Sequence, residues 1–160
     1  MRARPKALRA KRRYLLVRIL PPWRAVEQKA LYLAVAEAVT SLFGDVGAAR
    51  VQPAVVFSAG EYAVIRCQRG YEDDLGVACA TVTSVGGERV SVRTIACSGT
   101  IAALKARLDR DSGRFRPEKV HYGEKEVPAF RYGRHKVDVL QEDIKGESIV
   151  FLTDSESEEI

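Results

Sequence analysis

Apolar and polar positions change period several times along the chain, and each change predicts an element. Tyr14 to Leu20 is dense in large and β-branched apolar residues and stops at Pro21-Pro22, which reads as a strand with its punctuation. From Trp23 to Phe43 the spacing becomes helical, with Leu31, Ala34, Val35, Ala38 and Leu42 on one side and Glu27, Gln28, Glu37 and Ser41 between them. Gly44 is the expected terminator of that helix. Ala49 to Phe57 and Tyr62 to Gln68 read as strands, and the short Ser58 to Glu61 stretch joins them as an antiparallel pair. Pro53 cannot donate to a ladder, so the first of these two strands belongs at a sheet edge. Glu72, Asp73 and Asp74 open a second helix whose buried side carries Leu75, Ala78, Cys79, Val82 and Val85, with Gly86-Gly87 as its stop. Arg89 to Ala96 alternates as a strand, and Ser98 is placed to cap a third helix carrying Ile101, Leu104 and Leu108.

The resulting order, β-α-β-β-α-β plus one helix, predicts an α+β fold. It is a ferredoxin-like, RRM-like sandwich with an additional C-terminal helix and a variable C-terminal extension. In that topology the first and third strands are central and the fourth flanks the first. Alternation then sets Leu15, Val17 and Ile19 against Leu16 and Arg18, Ala63, Ile65 and Cys67 against Tyr62, Val64 and Arg66, and Val90, Val92 and Thr94 against Arg89, Ser91 and Arg93. Arg18, Arg66 and Arg93 therefore share the face away from the two helices. Three arginines on one sheet face need water or an anion, whereas Leu16 and Val64 among them invite cover by the third helix or by a partner protein. The sequence leaves these two covers open.

Composition narrows the class. A chain of 160 residues with 46% hydrophobic and 29% charged residues fits one globular domain plus an appendage. No apolar run approaches the roughly 18 residues of a membrane span, and the basic N-terminus lacks the features of a secretory signal. Cys67, Cys79 and Cys97 cannot all pair, so a reducing, cytoplasmic setting is expected, without a membrane partner. Charge is uneven. Residues 1–108 hold 17 Lys/Arg against 8 Asp/Glu, a net of +9, while residues 109–160 hold 9 against 13, a net of −4. Arg2, Arg4, Lys6, Arg9, Lys11, Arg12, Arg13, Arg18 and Arg24 all precede the first acidic residue, Glu27. Such a block repels itself and orders on a polyanion, or else remains a solvated tail. The chain thus divides into a basic arm (1–13), a ferredoxin-like domain (14–108) and an extension (109–160). In the extension, Lys136 to Leu140 and Ser148 to Leu152 could form a hairpin around Lys145-Gly146 or dock on a partner, and Asp154 to Glu159 is an acidic, mobile end. That end serves solubility or competes with the polyanion for the arm.

Catalytic constellations are sparse. His121 and His135 have no ligand partner at metal spacing, and no paired-cysteine motif, P-loop or nucleotide-binding glycine fingerprint occurs, so no protein-held metal is expected. The three cysteines fall on strand or helix positions and read as small buried hydrophobes. Glu72, Asp73 and Asp74 could hold magnesium for nuclease chemistry, but favourable charge at a helix N-terminus accounts for them at less cost.

Ala63-Val-Ile-Arg-Cys-Gln-Arg-Gly-Tyr71, and Val90 to Lys105 with its Arg-Thr-Ile-Ala-Cys-Ser-Gly-Thr-Ile core, resemble the archaeal ribonuclease P protein component 2 family. Arg13-Tyr14, and Phe43-Gly44 ahead of Gly47-Ala48, match its pattern as well. The resemblance covers residues 1–108; the remainder departs from it, since many members stop soon after the third helix. It implies a subunit of the ribonucleoprotein that removes 5′ leaders from precursor tRNA, with the RNA and its magnesium ions performing the chemistry. It also implies a pairing with ribonuclease P protein component 3, other protein subunits around the same RNA, indirect contact with precursor tRNA, and room for a homodimer within the assembly. The positions carried over are Arg66, Cys67, Arg69, Arg93, Thr94, Ser98, Gly99 and Thr100.

Physical reading of the same residues agrees with RNA binding. A Ser-Gly-Thr turn opening a helix beside Arg93 can cradle a phosphate, although Ser98 as a cap and Gly99 as a tight-turn residue explain that turn equally well. The outward central-strand positions are Leu16, Arg18, Val64 and Arg66, with Tyr14 and Tyr62 only at the ends, so base stacking is not the expected mode. Recognition by shape and phosphate charge, with marked salt dependence, is. The expected RNA contacts are Arg4, Lys6, Arg9, Lys11, Arg12, Arg13, Arg18, Arg66, Arg69, Arg93, Ser98, Gly99, Thr100, Lys105 and Arg107. Leu16, Val64, Ile101 and Leu104 are the expected protein-partner contacts. No catalytic residue and no cofactor of its own is assigned to the chain. Two rivals are a regulatory domain of the same topology that binds a small molecule, which gives no account of the basic arm, and a self-contained nuclease, which needs clustered carboxylates or a histidine pair that the sequence does not offer.

Overall fold

A computed structural model describes residues 9–22, 24, 26–111, 117–132, 136–143 and 146–153. Arg4, Lys6, His135, Lys145 and the acidic end at 154–159 lie outside the described residues. The chain divides into two compact units, Met1–Ala106 and Arg107–Ile160.

The first unit runs β1 (Arg12–Leu20), α1 (Gln28–Val51), β2 (Ala54–Ala59), β3 (Tyr62–Gln68), α2 (Glu72–Thr81), β4 (Ser84–Val85), β5 (Glu88–Arg89), β6 (Ser91–Ser98) and then α3, Ile101–Asp111, which crosses the division. Its sheet has the order β2-β3-β1-β6, with every pair antiparallel. This is the ferredoxin-like arrangement, with β1 and β3 central. One sheet face brings Leu15, Val17, Ile19, Ala63, Ile65, Cys67 and Val92 against Leu31, Val35 and Val39 of α1 and Leu75, Ala78 and Cys79 of α2. Each large aliphatic side chain buried there contributes about 1.5–3 kcal/mol. α1 is long and apolar enough to cross a membrane by length and composition alone, yet it packs its Leu31, Val35, Val39 stripe on this core.

Four local expectations are corrected. Gly44 does leave helical geometry, with φ 68° and ψ −177°, but the helix resumes and ends only at Gln52, whose φ is 48° and whose N–H donates to Ala48 O at 2.9 Å. Residues 49–51 are therefore helical, and β2 begins after Pro53 rather than containing it. β2 is an edge strand, as the sequence predicts. α2 stops at Thr81, and Gly86-Gly87 does not end a helix: with φ of 60° and 85° these two residues form the turn of the small β4–β5 hairpin. Left-handed backbone at two consecutive positions favours glycine at both. Val82 and Val85 are buried, from extended rather than helical backbone. Finally, Thr100 and not Ser98 caps α3: Thr100 Oγ1 accepts the Ala103 N–H at 3.3 Å, and Ser98 Oγ accepts the Thr100 N–H at 3.2 Å.

On the opposite sheet face one contact to the third helix is in place. Phe57 stands in register with Val64, and Lys105 Nζ of α3 lies 4.6 Å from the Phe57 ring centroid, which sets the third helix over this face. Leu16, Val64 and Leu104 are exposed by only 1%, 1% and 2%. Their expected role as partner contacts is corrected accordingly, because the chain's own packing consumes them. Ile101, at the start of α3, is half-buried.

The second unit contains β7 (Pro117–Tyr122), β8 (Lys125–Tyr132), β9 (Lys136–Asp143) and β10 (Gly146–Thr153), an antiparallel meander of order β10-β9-β8-β7. Ala129, Val137 and Val139 form its small core. The β9–β10 hairpin falls where the sequence places one, while β7 and β8 are additions to that expectation. Gly123, at φ 64°, turns β7 into β8.

Candidate nucleic-acid interface

Antiparallel pairing collects the basic residues at one end of the first sheet. β1 starts there, β3 ends there, and β6 hands over to α3 there. Arg12 lies opposite Gln68, Arg13 opposite Cys67, and Tyr14 opposite both Arg66 and Ser98. The Arg69 N–H donates to Lys11 O at 3.1 Å, which extends the pairing past the strand. Lys11, Arg12, Arg13 and Arg69 together with Gly99 line one open cleft of about 380 Å³. Four cations and one glycine make a surface fitted to an anion, since phosphate oxygens accept from guanidinium and ammonium groups and a glycine lets the ligand approach closely.

Two of these arginines are held in place. Arg12 Nη1 donates to Gln52 Oε1 at 2.9 Å, and Gln68 Nε2 donates to the same oxygen at 3.1 Å. Arg13 Nε donates to Glu72 Oε1 at 2.9 Å, while Glu72 Oε2 accepts the Gly70 N–H at 2.7 Å. Burial alone would raise the Glu72 carboxyl, but hydrogen bonds from its own backbone N–H, from Gly70 and from Arg13 hold it below the ordinary carboxylate range. Glu72 thus serves the Arg13 side chain as well as the α2 N-terminus. The sequence reading missed that link because 59 residues separate the partners.

The other end of β1 behaves differently. Arg18 lies opposite Tyr62 and Arg93, six residues and about 20 Å along the strand from Arg12. Arg18 is only 5% exposed, and its Nε donates to Glu61 Oε2 at 2.8 Å. Its expected RNA contact is corrected: it is an internal ion pair. Glu61 is legible in hindsight, as it immediately precedes Tyr62, the register partner of Arg18. Arg93 is exposed, but it lines a separate, mainly apolar groove with Gly76, Val77, Thr94 and Cys97. Arg66 is half-buried beside Tyr14, and its Nε is buried without a hydrogen-bond partner. Arg9, Lys105 and Arg107 are exposed. Thr100 caps α3, and Ser98, on the other side of Gly99, accepts the Thr100 N–H.

A family model described as the Rpp14/Pop5 family matches residues 13–108. The chain belongs to the Rpp14/Pop5 family. Among relatives in sequence, ribonuclease P protein component 2 of Methanoculleus marisnigri is 49% identical over 99% of each chain, and that of Methanosphaerula palustris is 39% identical over 99% of each. The Archaeoglobus fulgidus protein of the same name is 36% identical over 66% of this chain and 94% of its own. A chain in the cryo-EM structure of yeast ribonuclease MRP matches with a TM-score of 0.48 at 16% identity, covering 68% of this chain and 96% of that one. The resemblance to the archaeal component 2 family therefore holds. The two full-length matches also show that residues 109–160 are shared with some relatives, whereas nearly the whole Archaeoglobus protein aligns with only two-thirds of this chain.

The Rpp14/Pop5 match contains Arg13, Arg69 and Gly99 of the cleft and begins just after Lys11 and Arg12. Cys67 and Cys79 are buried, and burial pushes both thiols up to about 12, with the nearby Glu72 adding to the effect at Cys67 and Cys67 itself adding to it at Cys79. Cys97 is exposed, so its expected burial is corrected; at the bulged end of β6 it faces the groove beside α2. Among the described residues no three His, Cys, Asp or Glu side chains converge as a metal site.

Proposed function

We propose that this chain is a noncatalytic protein subunit of ribonuclease P, which binds the RNA that cleaves 5′ leaders from precursor tRNA. The observation that carries the reading is the cleft built from Lys11, Arg12, Arg13 and Arg69 around Gly99. Membership of the Rpp14/Pop5 family and the name borne by its archaeal relatives support it. The chain's work is electrostatic. Cations fixed on a rigid sheet end neutralise phosphates that a folded RNA must bring close together, so the folded RNA is favoured at lower magnesium. Magnesium belongs to the RNA in this reading, and the protein holds none of it. Component 3 and other protein subunits complete the particle, a homodimer is one arrangement within it, precursor tRNA is contacted indirectly, and the setting is cytoplasmic.

Reconstitution tests this. Precursor-tRNA cleavage by the RNA at limiting magnesium, with and without this chain and component 3, is expected to accelerate when both proteins are present. No gain in rate with the pair would overturn the assignment, and so would hydrolysis by the purified chain without RNA.

A further inference from the structure

Arg13 is held from behind, and the arrangement says what its front is for. The Gln68–Tyr71 turn, closed by the Tyr71 N–H donating to Gln68 O at 3.2 Å, carries Arg69 into the cleft and turns the Gly70 N–H onto Glu72. Gly70 has φ 96°, a conformation that side chains other than glycine's rarely adopt, so the turn depends on it. Both Glu72 oxygens are then engaged, one by Gly70 and one by Arg13 Nε. A guanidinium bound through Nε still presents N–H groups on its two terminal nitrogens. Nη1 lies 3.6 Å from the point where a Cβ on Gly99 would stand, so it reaches across the cleft floor. Glu72 offsets the charge of Arg13, but among the described residues neither Lys11 nor Arg69 has a carboxylate partner, and the cleft stays cationic.

We propose that Glu72, braced by the Gly70 turn, is a positioning residue that presents the terminal edge of Arg13 to a single RNA backbone phosphate seated over Gly99, between Arg13, Arg69 and Lys11. This rests on the RNA-binding reading above and adds a defined seat to it. Gly99 is the bare floor of that seat. A side chain there would occupy the space of the phosphate, and it would do so without backbone strain, because Gly99 is not among the glycines with positive φ and a Cβ would meet only the end of Arg13. Glu72→Asp separates the roles: it keeps a negative charge at the α2 N-terminus but is one methylene too short to hold Arg13 and Gly70 together.

The test is binding of the full-length chain to transcribed ribonuclease P RNA across a salt series, with urea unfolding of each variant as the control for the fold. Wild type is expected to show a steep decline of log affinity with log salt. Gly99→Val and Glu72→Asp are each expected to flatten that slope by about one, the loss of one phosphate contact. A purely structural Glu72 would shift unfolding and leave the slope alone. Wild-type slopes in both variants overturn the seat. Flattening in Gly99→Val only overturns the positioning role of Glu72, and flattening in Glu72→Asp only overturns the seat over Gly99. Should one variant fail to fold, the slope of the other decides. Absence of salt-dependent binding by wild type is the separate result that removes the RNA-binding reading itself.

Discussion

Two ends of one strand give arginine opposite roles. At the start of β1, Arg12 and Arg13 are fixed through Gln52 and Glu72 yet still line an open cleft with Lys11 and Arg69. Near its end, Arg18 is sealed against Glu61 under the cover of its own sheet face. The residue type is the same and so is the strand; what differs is whether the face above is open. An exposed guanidinium with free N–H edges can trade its hydration for phosphate, whereas a buried one must be satisfied inside the protein or it destabilises the fold.

That contrast can be broken most directly at the buried end. Arg18→Ala leaves Glu61 without its main partner and is expected to cost about 3 kcal/mol in urea unfolding. Pairing Arg18→Met with Glu61→Gln is expected to recover much of that loss, and the salt slope of RNA binding is expected to match wild type in both. A smaller effect than about 1 kcal/mol for Arg18→Ala would place Arg18 among the surface cations instead.

The three cysteines of the first unit sharpen the contrast between covered and open faces. A thiol held near 12 carries about a thousandfold less thiolate than one at 9. Alkylation of the native protein at neutral pH is therefore expected at Cys97, with Cys67 and Cys79 reacting only on unfolding, as peptide mapping would show. Because the folded thiols of Cys67 and Cys79 ionise near 12 and an unperturbed thiol at 9.0, their contribution to stability is complete below pH 9 and is lost as pH rises toward 12. Rapid modification of Cys67 in the folded state would contradict the packing described. The smallest effect is expected at Arg93, which is exposed and lies away from the cleft: Arg93→Ala should change stability by less than about 0.5 kcal/mol and leave the salt slope unmoved.

Local periodicity was enough to read the order of elements in the first unit, because the switch from period 2 at Tyr14–Leu20 to helical spacing after Trp23 is written in adjacent residues. It also placed Arg18, Arg66 and Arg93 on one face. What meets that face is a long-range matter: Lys105 returns over Phe57 from a helix more than 40 residues away. Alternation therefore gave the side of the sheet for Arg18 and not its burial. Gly44 and Gly86-Gly87 were misread because a glycine with positive φ serves a helix break, a kink and a hairpin turn alike. Of the cleft, Lys11, Arg12, Arg13, Arg69 and Gly99 were all legible as candidates, but their convergence needed the β1–β3 register and the bulge in β6 that shifts the ladder at Leu16 and Val17. In the second unit, β7 and β8 escaped notice because Pro117, Pro128 and dense charge mask their alternation; β8 pairs with β9 only from Ala129 onward, just past Pro128.

The most direct measurement of the central claim is the salt dependence of ribonuclease P RNA affinity for wild type against Arg13→Ala combined with Arg69→Ala. The account predicts a wild-type slope of about −3 or steeper, from at least three or four neutralised phosphates, and, since Arg13 and Arg69 share one phosphate, a slope flatter by about one in the double variant with the fold retained. A double variant that binds with the wild-type slope and affinity would contradict it.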